Sequence, residues 1–144
     1  MNKIRSFISP KSAFFTVLIL SLFTLLLMLF PDIGTFLGPG VLFLWSLLTL
    51  SGVGLIVLTF KEYKEKSKLK TFLLITGFSA TGFFVGVALH NAFYALGIIS
   101  AHLSVLPAIL GFLEVSFFLI AVILCPLGLL AGLIGTIVMW KQFK

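Results

Sequence analysis

Four long apolar runs, broken by short polar or Pro/Gly-rich stretches, set the pattern of this chain. The runs cover about residues 12–30, 41–60, 71–91 and 113–140, and a helix needs roughly 20 apolar residues to cross a ~30 Å hydrocarbon layer. The pattern therefore predicts an all-α integral membrane protein with four transmembrane helices in one domain. The first run carries no charge and ends at Pro31-Asp32. It is longer than the apolar core of a secretory leader and no A-x-A-like site follows it, so a retained helix is expected. Ahead of it, Met1–Lys11 is basic and weakly amphipathic, with Ile4, Phe7 and Ile8 on one helical face. That suits a single interfacial turn. The stretch PDIGTFLGPG, residues 31–40, reads as a tight turn.

Small residues within the runs predict how the helices pack. Lipid removes the hydrophobic drive for association, so close approach falls to Gly, Ala, Ser and Thr. In the second run Trp45, Thr49, Gly52, Ile56 and Thr59 form a partly small, partly polar stripe. In the third, Ser79, Gly82 and Gly86 share a face, with Gly82 and Gly86 in G-x-x-x-G spacing. In the fourth, Ala121, Cys125, Gly128, Gly132 and Gly135 recur with a 3.5-residue period, the spacing of left-handed packing. Pro126 is expected to kink that helix. Residues 92–111 are apolar enough for a further span but hold Ser100, His102, Ser104 and Pro107 and leave almost no turn on either side. They read as an interfacial or re-entrant helix between the third and fourth spans.

Composition agrees with this class: 60% hydrophobic, 10% charged and a mean hydropathy of +1.27. A soluble domain carries about a quarter charged residues. The net charge of +6 has a topological meaning. The run KEYKEKSKLK places Lys61, Lys64, Lys66, Lys68 and Lys70 between the second and third spans, where they orient the protein and meet lipid headgroups. An i,i+4 pair, Glu62–Lys66, is expected if the second helix runs on. With Lys3, Arg5, Lys11, Lys141 and Lys144, all ten basic residues fall on one side. The positive-inside rule makes that side cytoplasmic. Both termini are therefore expected in the cytoplasm, in the cell membrane. No basic face with interleaved aromatics tracks a nucleic acid, and the expected partners are the bilayer and another membrane protein or a second copy.

Candidate chemistry is confined to the outer half, where Asp32, His90, His102 and Glu114 lie. Counting by sevens puts Glu114 on the seam of Ala121, Gly128 and Gly135, and His90 lies one turn beyond Gly86. Facing seams would bring His90 and Glu114 together. The pair reads first as a hydrogen-bonded clasp between helices; a proton-linked switch or a zinc half-site with His102 are the alternatives. Asn91 and Tyr94 are adjacent polar support. The twelve-residue gaps match no standard ligand spacing, and no cofactor is expected.

No Cys-x-x-Cys, phosphate loop or nucleophile elbow occurs. No carboxylate lies at mid-span as proton-coupled antiport requires. The lone Cys125 sits in an apolar run and reads as a small hydrophobe. The sequence thus points to a non-enzymatic accessory or assembly subunit acting through helix contacts. A small oligomeric channel or transporter is the alternative, and a membrane enzyme or metal-binding protein with an outer-face site the second.

Overall fold

A computed structural model of the chain describes residues 9–30, 32 and 37–143. The proposed interfacial turn at the amino terminus, with Lys3 and Arg5, most of the 31–36 turn, and Lys144 lie outside the described residues. Those described are helical, with no strand among them, and four helices are long and apolar enough to cross a membrane.

The first helix, α1 (Pro10–Leu29), starts two residues ahead of the charge-free run because its start is chemically fixed. Ser9 and Ser12 form a reciprocal capping box, with Ser12 N donating to Ser9 Oγ at 3.2 Å and Ser9 N to Ser12 Oγ at 3.0 Å. Pro10 occupies the first helical turn, where its missing N–H costs nothing. Gly38, at φ +50°, turns the chain into α2 (Gly40–Glu62). Glu62 closes α2, so Lys66 does not lie one turn along the same helix and the expected Glu62–Lys66 helical pair is not formed. Ser67 then caps α3 (Lys68–Ile99) by accepting a 3.1 Å bond from Lys70 N. The lysine run is thus shared out: Lys61 ends one helix, and Lys68 and Lys70 begin the next.

Residues 92–111 do not form an element of their own. Nothing in the sequence breaks the third helix before Ser100, so α3 continues to Ile99 and ends where Ser100 Oγ bonds back to Leu96 O at 2.7 Å. A turn over residues 100–105 leads into α4 (Leu106–Leu119), with Pro107 in its first turn. The end of α3 is therefore set by its local chemistry and not by a fixed span length. The last long helix is broken in register. Between α4 and α5 (Cys125–Val138) lies a π-helical turn, Ile120–Leu124, in which Cys125 N–H donates to Ile120 O five residues back. Pro126 explains it: proline lacks the N–H for a normal bond and its ring presses on the carbonyl four residues earlier. The chain takes in one extra residue there, the π-bulge route past a helix breaker. A short 3₁₀ turn, Trp140–Gln142, ends the fold.

Helix α3 is the centre of the bundle, packed by α2 on one side and by α4, the π turn and α5 on the other, with α1 against α2. Its neighbours come close where glycine allows. A methyl group at Gly52 would lie 2.9 Å from Gly77 O, and one at Gly77 would lie 2.6 Å from Ile56 Cγ1. On the same α2 face Trp45 meets Phe83 edge-on at 5.4 Å and Thr81 Oγ1 reaches Thr49 O at 3.5 Å. Thr59 is fully buried.

Both ends of the described chain lie at one end of the bundle. Phe14 and Phe15 at the start of α1 meet Trp140 at ring distances of 6.3 and 5.1 Å. Phe143 lies 4.8 Å from Trp140, and Lys11 Nζ sits 4.8 Å over the Trp140 ring. Gly135, near the end of α5, lies against Phe72 near the start of α3, which puts the 61–70 linker at this end too. The described basic residues, Lys11, the five linker lysines and Lys141, are therefore gathered there.

Candidate functional site

The contact between α3 and the last helix is built rung by rung from small residues. A methyl at Gly86 would come 2.9 Å from Ala121 Cβ, and one at Gly82 would come 3.0 Å from Cys125 Sγ. Below these, Gly128 lies against Ser79, and a methyl at Gly132 would sit 2.7 Å from Thr76 N and 3.0 Å from Thr76 Cα. Gly135 lies against the Phe72 ring. The π turn keeps this register past Pro126: Ala121 within it and Cys125 just after it both stay buried, each against a glycine of α3.

One turn beyond Gly86 the same ladder brings His90 to Glu114. His90 Nδ1 lies 3.9 Å from Glu114 Oε1 and 3.3 Å from Glu114 O. The two side chains are about a quarter exposed, 27% and 25%. The imidazole leans on the Phe118 ring at 5.2 Å, and Phe93 stacks on Phe117 at 5.5 Å and 17° just above. At 1.5 Å per residue, His90 stands about 33 Å along α3 from its start, slightly more than the thickness of a ~30 Å hydrocarbon layer. A hydrogen bond between groups this exposed gains from partial shelter without the full cost of a buried ion.

The other polar residues singled out with this pair do not join it. His102 is exposed on the 100–105 turn, and Asp32 is exposed as well. Asn91 Nδ2 donates to Val87 O of its own helix at 2.8 Å, and Tyr94 is 54% exposed. Among the described residues no group of three His, Cys, Asp or Glu side chains is placed to hold a metal ion. The arrangement brings together one imidazole and one carboxylate, enough to link two helices. Cys125 is buried against Gly82, with no basic group shown beside it that would activate the thiol.

At the other end the lysines are mostly solvent-facing. Lys61, Lys64, Lys66 and Lys68 are exposed, and Lys70 is half-buried with its Nζ 5.3 Å over the Phe60 ring. No protein-family model, curated protein or solved structure matches this chain.

Sequence reasoning missed two features of the bundle. The first is the aromatic clasp of Phe14, Trp140 and Phe143, which joins residues from opposite ends of the chain and carries no periodic signal. The second is the overreach of α3 and α4. From the Trp45–Phe83 contact, α2 has about 8 Å left to run outward and α3 about 24 Å. The outer turns of α3, the 100–105 turn and the start of α4 thus form a helical hairpin beyond the end of α2. Its surface is apolar: Ile98, Ile99, Val105, Ile109 and Phe112 are 60%, 71%, 64%, 53% and 72% exposed. The signal was present, since α3 has no helix breaker before Ser100, but a fixed span length hid it.

Proposed function

We propose that this protein is a non-enzymatic, four-span subunit of a membrane assembly, with both termini and the 61–70 linker in the cytoplasm of a cell membrane. The lysines gathered at one end of the bundle support the orientation through the positive-inside rule. The partner contact falls on the outer hairpin, which takes over the place expected of an interfacial helix. One observation carries this reading: the hairpin shows bulky apolar side chains beyond the reach of α2, where a bare bilayer gives them no lasting cover. Exposed apolar patches of this kind mark interaction surfaces. The glycine ladder does not serve a partner, because it is consumed inside the chain.

The clasp of His90 and Glu114 sits at the hairpin's base and fixes its direction. The test is capture of partners from gently solubilised membranes. Ile98→Ser with Phe112→Ser should lose the co-purifying partner, whereas Leu50→Ser on the lipid-facing side of α2 should keep it. Equal capture by both variants, or a lone chain in every preparation, would end the proposal.

A further inference from the structure

Helices α1 and α5 meet at their inner ends through the aromatic cluster and hardly approach one another elsewhere. Between them, over α3, lies a recess of about 160 Å³, with Ser21, Thr24 and Leu25 on one wall, Cys125 and Leu130 on the other and Phe83 behind. It opens sideways at mid-span. The contact of Phe14 with Trp140 lies on its inner side, about 10 Å along α1 from Ser21.

We propose that this recess holds the end of a phospholipid acyl chain, entering from the side between α1 and α5. The inference is independent of the partner reading above. Three observations choose the occupant. The lining offers water little: Ser21 Oγ already donates to Val17 O at 2.6 Å and Thr24 Oγ1 to Leu20 O at 2.9 Å, the third hydroxyl, Ser79, lies against Gly128, and apolar cavities of this kind stay dry. The size fits a slender group, since a cavity of about 150 Å³ takes a benzene-sized guest of roughly six carbons. A partner helix is about 10 Å across and would have to force α1 away from the aromatic cluster and from α2. The site's depth settles the chemistry, because hydrocarbon tails are what surround a mid-span opening.

The full chain is reconstituted in phosphatidylcholine vesicles containing a phosphatidylcholine with a diazirine near its acyl terminus, and the photolabelled residues are mapped by mass spectrometry. Phe83 and Cys125 should be labelled more than Leu50 and Val57, even though those α2 residues are 67% and 57% exposed and Phe83 and Cys125 only 9% and 7%. Leu25→Trp and Leu130→Trp, which fill the recess from either wall, should each bring the label on Phe83 and Cys125 below that on Leu50 and Val57. If either variant fails to give a monodisperse helical protein, the other decides. Labelling of Phe83 and Cys125 no stronger than at the α2 residues overturns the proposal. So does an excess that survives filling, or photolysis that joins these residues to another polypeptide.

Discussion

Two faces of α5 lie at the same depth and are equally apolar, yet they behave in opposite ways. The face toward α3 carries Gly128, Gly132 and Gly135 and leaves no room for a methyl group. The face toward α1 carries Pro126, Leu129 and Leu130 and stands off across an open recess. In water both faces would have been driven shut by the burial of apolar surface. In a membrane the tails of lipids solvate leucine as well as another leucine does, so apolarity earns nothing and close backbone approach decides. The difference between the faces is one of side-chain size alone.

The largest loss is expected from bulk placed in the tight face. Gly132→Val would drive its side chain into the Thr76 backbone, with a Cβ only 2.7 Å from Thr76 N and 3.0 Å from its Cα. Neither atom is the flexible end of a side chain. Overpacking of this kind costs about 1–3 kcal/mol and sometimes more, and the upper end is expected here. Reversible unfolding in mixed micelles, followed by circular dichroism, measures it. A loss below the lower end would mean that α3 and α5 slide freely and that the ladder does not set their spacing.

A second substitution tests the register itself. Gly86→Ala meets Ala121 Cβ at 2.9 Å and Phe117 O at 3.3 Å, and about 1–2 kcal/mol should be lost by overpacking. Ala121→Gly removes the closest of these atoms, so adding it to Gly86→Ala should restore much of the stability. Strictly additive losses would show that the two residues do not face each other in the membrane.

How far this was readable from the sequence depends on the kind of feature. The spacing from Ala121 to Gly135 was legible because small residues at helical period have few other meanings in a span, and in the fold those positions lie along α3. Gly52 and the stripe around it belong to the same class. The outward reach of α3 was hidden by an assumption: the third span was ended by bilayer thickness near residue 91, although no cap or breaker stands before Ser100. The π turn was half visible, since Pro126 announces a disturbed helix without saying whether the helix bends or takes in a residue. The recess could not be read at all. It is a gap where α1, whose buried face runs through Phe14, Val17, Ser21 and Thr24, packs on α2 and meets the last helix only at its inner end. Gaps leave no pattern in a chain.

The polar contact at the ladder's top should matter less than its glycines. His90 Nδ1 and Glu114 Oε1 are 3.9 Å apart, a long contact, and hydrogen bonds between membrane helices average about 0.6 kcal/mol in double-mutant cycles. Glu114→Ala leaves the 3.3 Å contact to the Glu114 backbone O in place. A cycle of His90→Ala and Glu114→Ala therefore reads the carboxylate contact alone and is expected to give a coupling of no more than that order. Zero coupling would leave the imidazole held by the Glu114 backbone carbonyl alone. A coupling above about 2 kcal/mol would exceed the largest values known for such contacts, and would point to a third group bound between them.

The smallest effect is the one that completes the comparison. Leu130→Phe adds bulk to α5 two residues from Gly132, on the wall of the recess. If the two faces differ only in available space, the ring displaces lipid tails and the stability should change by no more than about 0.5 kcal/mol, as for an unconstrained surface site. Measured beside Gly132→Val in the same micelles, the two changes enlarge neighbouring residues of one helix by a few heavy atoms each. A large loss from Leu130→Phe would mean that the recess closes in the membrane and that α1 packs on α5 after all. The lipid site would then vanish with the gap, while the ladder on the opposite face would stand unchanged.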